Sequence, residues 1–178
     1  SGTALTLGTA RVFGVGSDII GDATNSLNLS HNSGTVSIDD GFVNYTGGIT
    51  KTGAGIATFN TVYNAPTVIL TGGVINLNTT DSYNFGSGEV SISGGTVNFN
   101  NSGTVTLADL TLGTNGNLGG SSDVLVTGDA SFTNAVTLSG AGTLTTQGTT
   151  TKTGTNYLII QKDWSNEGIV NWQQSDTY

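Results

Sequence analysis

The chain has 178 residues, of which 28 are glycine and only 9% are charged, and four basic against twelve acidic residues leave a net charge of −8. That balance leaves no basic patch able to release counterions from a phosphate backbone, which argues against nucleic acid as a partner. With no cysteine there are no disulfides or thiol sites, and no apolar run approaches the ~20 residues of a membrane-spanning helix.

The length suits one domain, residues 1–178, with a substantial core. A hydrophobic fraction of 35%, gathered in short Val, Ile, Leu and Phe clusters, is enough to offset chain entropy, so the chain is expected to fold. It opens on Ser1 without a methionine or a signal-type region, and the expectation is a processed or excised piece of a larger protein.

In chain order, "LNLSHNSGTVSI" from Leu27 sets a scheme of alternating strand, small-residue turn and alternating strand. "GGITKTGAGIATFN" from Gly47 follows it, then "VILTGGVINLN" (68–78), "VSISGGTVNFN" (90–100), "VNFNNSGTVTL" from Val97, "VLVTGDASF" from Val124 and "VTLSGAGTLTT" from Val136. Superposing the copies that begin at Val68 and Val90 aligns Gly72-Gly73 with Gly94-Gly95 and Asn76-Leu77-Asn78 with Asn98-Phe99-Asn100, an offset of 22 residues. Within each copy the apolar residues fall two apart, as in Ile75 and Leu77 or Val105 and Leu107, which is the period of a half-buried strand. Asn76, Asn98, Thr106 and Thr137 then face outward. The last stretch, "DWSNEGIVNWQQSDTY" (163–178), holds both tryptophans; its "EGIVNW" repeats the scheme of "GGTVNF", so one more coil is expected there rather than a bulky cap.

A repeat of about 20 residues with a glycine turn in every member implies stacked coils, each burying its apolar stripe against its neighbours. The expected fold is all-β: a single-stranded right-handed parallel β-helix of about eight or nine coils with almost no helix, forming a rod roughly 40 Å long at the ~4.8 Å spacing of adjacent strands.

Few residues suggest chemistry. Lys51 and Lys152 share a Thr-Lys-Thr-Gly setting with no evident group to shift their pKa, so both are expected at strand-to-turn junctions with the ammonium in solvent. Arg11 and Lys162 are scattered. His31, the single histidine, cannot form a histidine-based metal cluster and is expected at the surface. Asp39-Asp40 reads as a solvated turn rather than a carboxylate pair for sugar cleavage. Asp18, Asp22, Asp81, Asp109, Asp123 and Asp129 lie near glycines or turns and could bind calcium loosely, but the Gly-Gly-x-Gly-x-Asp pattern of calcium β-rolls is absent. Sequons at Asn28, Asn44, Asn78 and Asn100 are expected from composition alone. The Thr-x-Thr pairs 104/106 and 143/145 suggest an ice-binding array, which needs such a pair on nearly every coil. No catalytic, cofactor-binding or metal-binding residue is assigned.

The stretch "GGITKTGAGIATFN", with a partial echo "TKTG" at 151–154, resembles the autotransporter-associated β-strand repeat of bacterial secreted passengers. The rest of the chain resembles the wider class of haemagglutinin-like β-solenoids. The resemblance implies a non-enzymatic stalk or adhesive passenger, secreted or on the bacterial cell surface. Its expected partners are a glycan or cell-surface ligand, flanking coils of a parent chain, and further copies meeting end to end. The rival expectation is a carbohydrate-active β-helix enzyme, a polysaccharide lyase or tailspike-like glycosidase; an ice-binding solenoid ranks below both.

Overall fold

The computed structural model describes residues 4–9, 11–13, 19–20, 26–39, 42–43, 47–61, 65–79 and 88–173. They form a parallel β-solenoid of about seven turns, with no helix among the described residues. One face is a nine-stranded sheet of Ala4–Leu7, Ser26–Leu29, Ile49–Lys51, Val68–Leu70, Glu89–Ile92, Asp109–Leu112, Ala130–Thr133, Thr149–Thr153 and Ile169–Gln173. The second face has eight strands: Arg11–Phe13, Thr35–Ile38, Ile56–Phe59, Val74–Leu77, Gly95–Phe99, Gly116–Gly120, Val136–Leu138 and Leu158–Ile160. A third face of four strands, Val105–Leu107, Val124–Val126, Thr143–Thr146 and Asp163–Asn166, closes the later coils, and Ile19–Ile20 pairs with Phe42–Val43 in a separate ladder.

Every pairing is parallel and joins a coil to the next. The register between Val74–Leu77 and Gly95–Phe99 sets Asn76 on Asn98 and Leu77 on Phe99, the alignment read from the repeat. The turn count falls below the expected eight or nine. Several coils are longer than 20 residues, Leu5 pairing with Leu27 and Leu27 with Ile49 at steps of 22.

Alternation decides what lies inside. On the first face Leu27, Leu29, Ile49, Val68, Leu70, Val90, Ile92, Leu110, Leu112 and Phe132 point inward with essentially no exposure, while Asn28, Thr50, Ser91, Thr111 and Ser131 stand on the outer surface. At about 25 cal/mol per Å² of apolar surface, such columns supply most of the drive for stacking. Outside, side chains bond along the axis: Asn98 Nδ2 donates to Asn76 Oδ1 and Asn100 Nδ2 to Asn78 Oδ1, both at 2.8 Å. Ser139 Oγ donates to Asn117 Oδ1 at 2.9 Å.

Glycine is required where rungs crowd at the corners. Gly95 has φ +92°, and a Cβ there would lie 2.2 Å from the Gly73 carbonyl oxygen one coil away. The terminal tryptophan-rich stretch adds a rung, as expected. Asp163–Asn166 pairs with Thr143–Thr146, Ile169–Gln173 with Thr149–Thr153, and Trp164 meets the Phe132 ring edge-on at 6.1 Å.

Candidate functional site

The faces of the rod are apolar inside, but its corners are not. Where the chain turns from one sheet to the next, carbonyls leave the ladder and need donors. This is where three of the four basic residues lie, and the structure overturns the expectation of solvent-exposed lysines.

Lys51 is completely buried and Lys152 is 1% exposed. Lys51 lies in the inward column between Leu29 and Leu70, and Lys152 follows Phe132. Each occupies the last inward position of its strand, so the aliphatic stem packs in the core and the ammonium reaches the turn. Lys51 Nζ donates to the Gly53 carbonyl, and Lys152 Nζ to the Thr153 carbonyl at 2.7 Å. Burial lowers the pKa of both.

His31 belongs to the same corner and is likewise buried, against its expected surface position. It precedes the turn one coil before Lys51. Its ring sits over Gly55, where a Cβ would come 2.3 Å from the ring Cδ2. Nε2 donates to the Ile56 carbonyl at 2.8 Å, which fixes the tautomer and leaves buried Nδ1 without a partner.

Lys162 was missed as a structural residue by sequence reasoning. It lies at the corner between the second and third faces and is 3% exposed. Its ammonium donates to the Ala141 carbonyl one coil back and to those of Ser122 (3.0 Å) and Gly120 (3.3 Å) two coils back. Burial lowers its pKa, and the Asp123 carboxylate acts in the opposite direction. The available signal was register: two residues past Leu118, Leu138 and Ile160, Lys162 continues the column of Gly120 and Gly140. At that corner Ser122 Oγ also donates to Asn101 Oδ1 at 2.8 Å and accepts from the Asn101 amide.

The aspartates near turns act as backbone acceptors. Asp109 Oδ1 takes the Asp129 amide at 2.8 Å, Asp129 Oδ1 the Thr149 amide at 2.9 Å, and Asp123 Oδ1 the Thr143 amide at 2.7 Å. No group of three or more potential metal ligands occurs among the described residues. Asp39 accepts from Ser37 Oγ at 3.0 Å and from Asn60 Nδ2. Asp40, Asp18, Asp22, Asp81 and Asn44 lie outside the described residues.

An open groove of about 520 Å³ runs along the third face, lined by residues that include Thr104, Asp123, Thr143, Thr145, Gln147 and Glu167. Thr104 and the pair Thr143/Thr145 line it on alternate coils, with Asp123 and Leu125 on the rung between them. The wall therefore mixes hydroxyl, amide and carboxylate groups in place of a uniform threonine array. Gln147 Nε2 donates to Glu167 Oε2 at 3.0 Å. The two carboxylates are two rungs and about four residues apart, roughly 15 Å between Cα atoms at the usual strand spacing and rise.

No family model, curated protein or solved structure matches the chain. No helix among the described residues is long and apolar enough to cross a membrane.

Proposed function

We propose that this solenoid is a non-enzymatic stalk or adhesive passenger segment of a secreted or cell-surface bacterial protein. The observation that carries the reading is the internal use of its reactive side chains. The amines of Lys51, Lys152 and Lys162 are bonded to backbone carbonyls, and the Asp109, Asp123 and Asp129 carboxylates to backbone amides. Lys162 and the three aspartates thereby join coils while Lys51 and Lys152 close their own turns, which suits a chain selected for stiffness and repetition. Hydroxyls and amides at rung spacing suit a polyhydroxylated chain lying along the axis.

A glycan-array screen of the purified chain, run beside a reducing-end and unsaturated-product assay on the same polysaccharides, tests this. Binding that Gln147→Ala weakens, with no product released, supports the adhesive passenger. Product formation supports the carbohydrate-active enzyme instead.

A further inference from the structure

Lys162 differs from the other two buried lysines in what it reaches. Lys51 and Lys152 bond carbonyls of their own turns, whereas the Lys162 ammonium meets Ala141 one coil back and Ser122 (3.0 Å) and Gly120 (3.3 Å) two coils back. An ammonium has three N–H donors and no acceptor, and three carbonyls take them. The turn one coil back explains the reach. Asn101, on an earlier coil, serves its own turn, its Nδ2 donating to the Gly103 carbonyl at 2.9 Å. In Ser139-Gly140-Ala141-Gly142 the Ser139 Oγ donates to Asn117 at 2.9 Å, and the other three residues have no side-chain donor. At Gly142, with φ +76°, a Cβ would lie 2.5 Å from the Ser122 carbonyl oxygen, so that position cannot supply a side chain either.

We propose that these three carbonyls form a receptor for a small monovalent cation, which Lys162 fills with a tethered ammonium, and that closure of this corner needs a cation in place. Carbonyl oxygens aimed at one centre can replace the hydration shell of an alkali ion, as they replace water around the ammonium here. Lys162 is 3% exposed, so an empty cage would leave carbonyl dipoles opposed to one another with no donor between them. The Asp123 carboxylate adds attraction for positive charge, while its Oδ1 stays on the Thr143 amide at 2.7 Å. Three neutral oxygens beside a carboxylate engaged elsewhere suit a single charge, whereas calcium and magnesium draw carboxylates into direct contact.

Thermal unfolding of the 178-residue chain, read by far-UV circular dichroism in chloride salts of equal ionic strength, tests this. Lys162→Ala should melt below wild type in tetramethylammonium, a cation too bulky for the cage and without an N–H, and should recover in potassium. Above the dissociation constant, each tenfold rise in potassium should lift its melting temperature by about 3–5 °C, the mass-action gain of one bound ion. Propylammonium, which restores the atoms lost from Cγ to Nζ, should recover more at the same concentration. Wild type, with the cage filled, should melt alike in all three salts. If Lys162→Ala does not fold in any of them, Lys162→Gln, uncharged and shorter than lysine, carries the comparison of potassium with tetramethylammonium. A variant that responds equally to these cations, or a wild type that prefers potassium as strongly as the variant does, overturns the proposal. The readout is unfolding, so neither outcome bears on the glycan-binding test of the passenger reading.

Discussion

Phe132 and Lys152 are register partners on adjacent rungs, and neither is open to solvent. An amine thus follows an aromatic ring in an apolar column, its charge carried to the Thr153 carbonyl at the corner. Lys152→Ala empties that column position and should cost about 2–5 kcal/mol, as large-to-small core changes do. Lys152→Met keeps the stem, and removing a buried charge offsets the lost hydrogen bond, so it should stay within about 1 kcal/mol of wild type. Urea unfolding of the two variants checks the order.

Alkaline pH should stabilise the fold. Burial places the pKa values of Lys51, Lys152 and Lys162 below the ordinary 10.5, with Asp123 partly opposing this at Lys162. Between the lowered folded values and 10.5 the unfolded chain holds more protons than the folded one, so stability contributed by these groups rises with pH across that window and levels off above it. The triple variant K51M/K152M/K162M lacks this rise. Melting temperatures of both proteins, taken from neutral pH upward, should show wild type gaining on the variant.

Gly95→Ala should destabilise by about 3 kcal/mol or more. The residue has φ +92° and its added Cβ would press on the Gly73 carbonyl backbone, so strain and overlap act together. Chemical denaturation, followed by the Trp164 environment beside Phe132, measures the loss.

Asp129 occupies the middle of a ladder in which its amide donates to Asp109 and its carboxylate accepts from Thr149. Asp129→Ala should cost about 1 kcal/mol, since the site is exposed and water partly replaces the acceptor. Asp129→Asn retains an oxygen and should lose about half as much. Hydrogen exchange at the Thr149 amide should accelerate more in the alanine variant.

The wall of the solenoid was legible because period-two alternation and the paired Gly-Gly turns state the register directly, as with Asn76 over Asn98. The corners were not. The same Thr-Lys-Thr-Gly stretch reads as solvent-exposed when each residue is judged by its own polarity. It becomes interior only once the strand's phase is followed through to the turn, because Lys51 is two residues from Ile49 and therefore inward. His31 was hidden for a similar reason: its neighbour is Gly55, 24 positions on, and only the coil period brings them together. The third-face groove joins residues of several coils, and none of its short segments resembles a site alone.

The enclosed lysines also govern how the rod meets proteases. An enzyme that cuts after basic residues must draw a side chain into its specificity pocket and an extended backbone across its cleft. At Lys51, Lys152 and Lys162 the side chain is sealed within the rod, and Lys51 and Lys152 lie in sheet strands. Arg11 is the only other basic residue in the chain. Trypsin-type cleavage at the three lysines will therefore time the opening of individual coils, making digestion rate a direct gauge of how tightly each rung is closed.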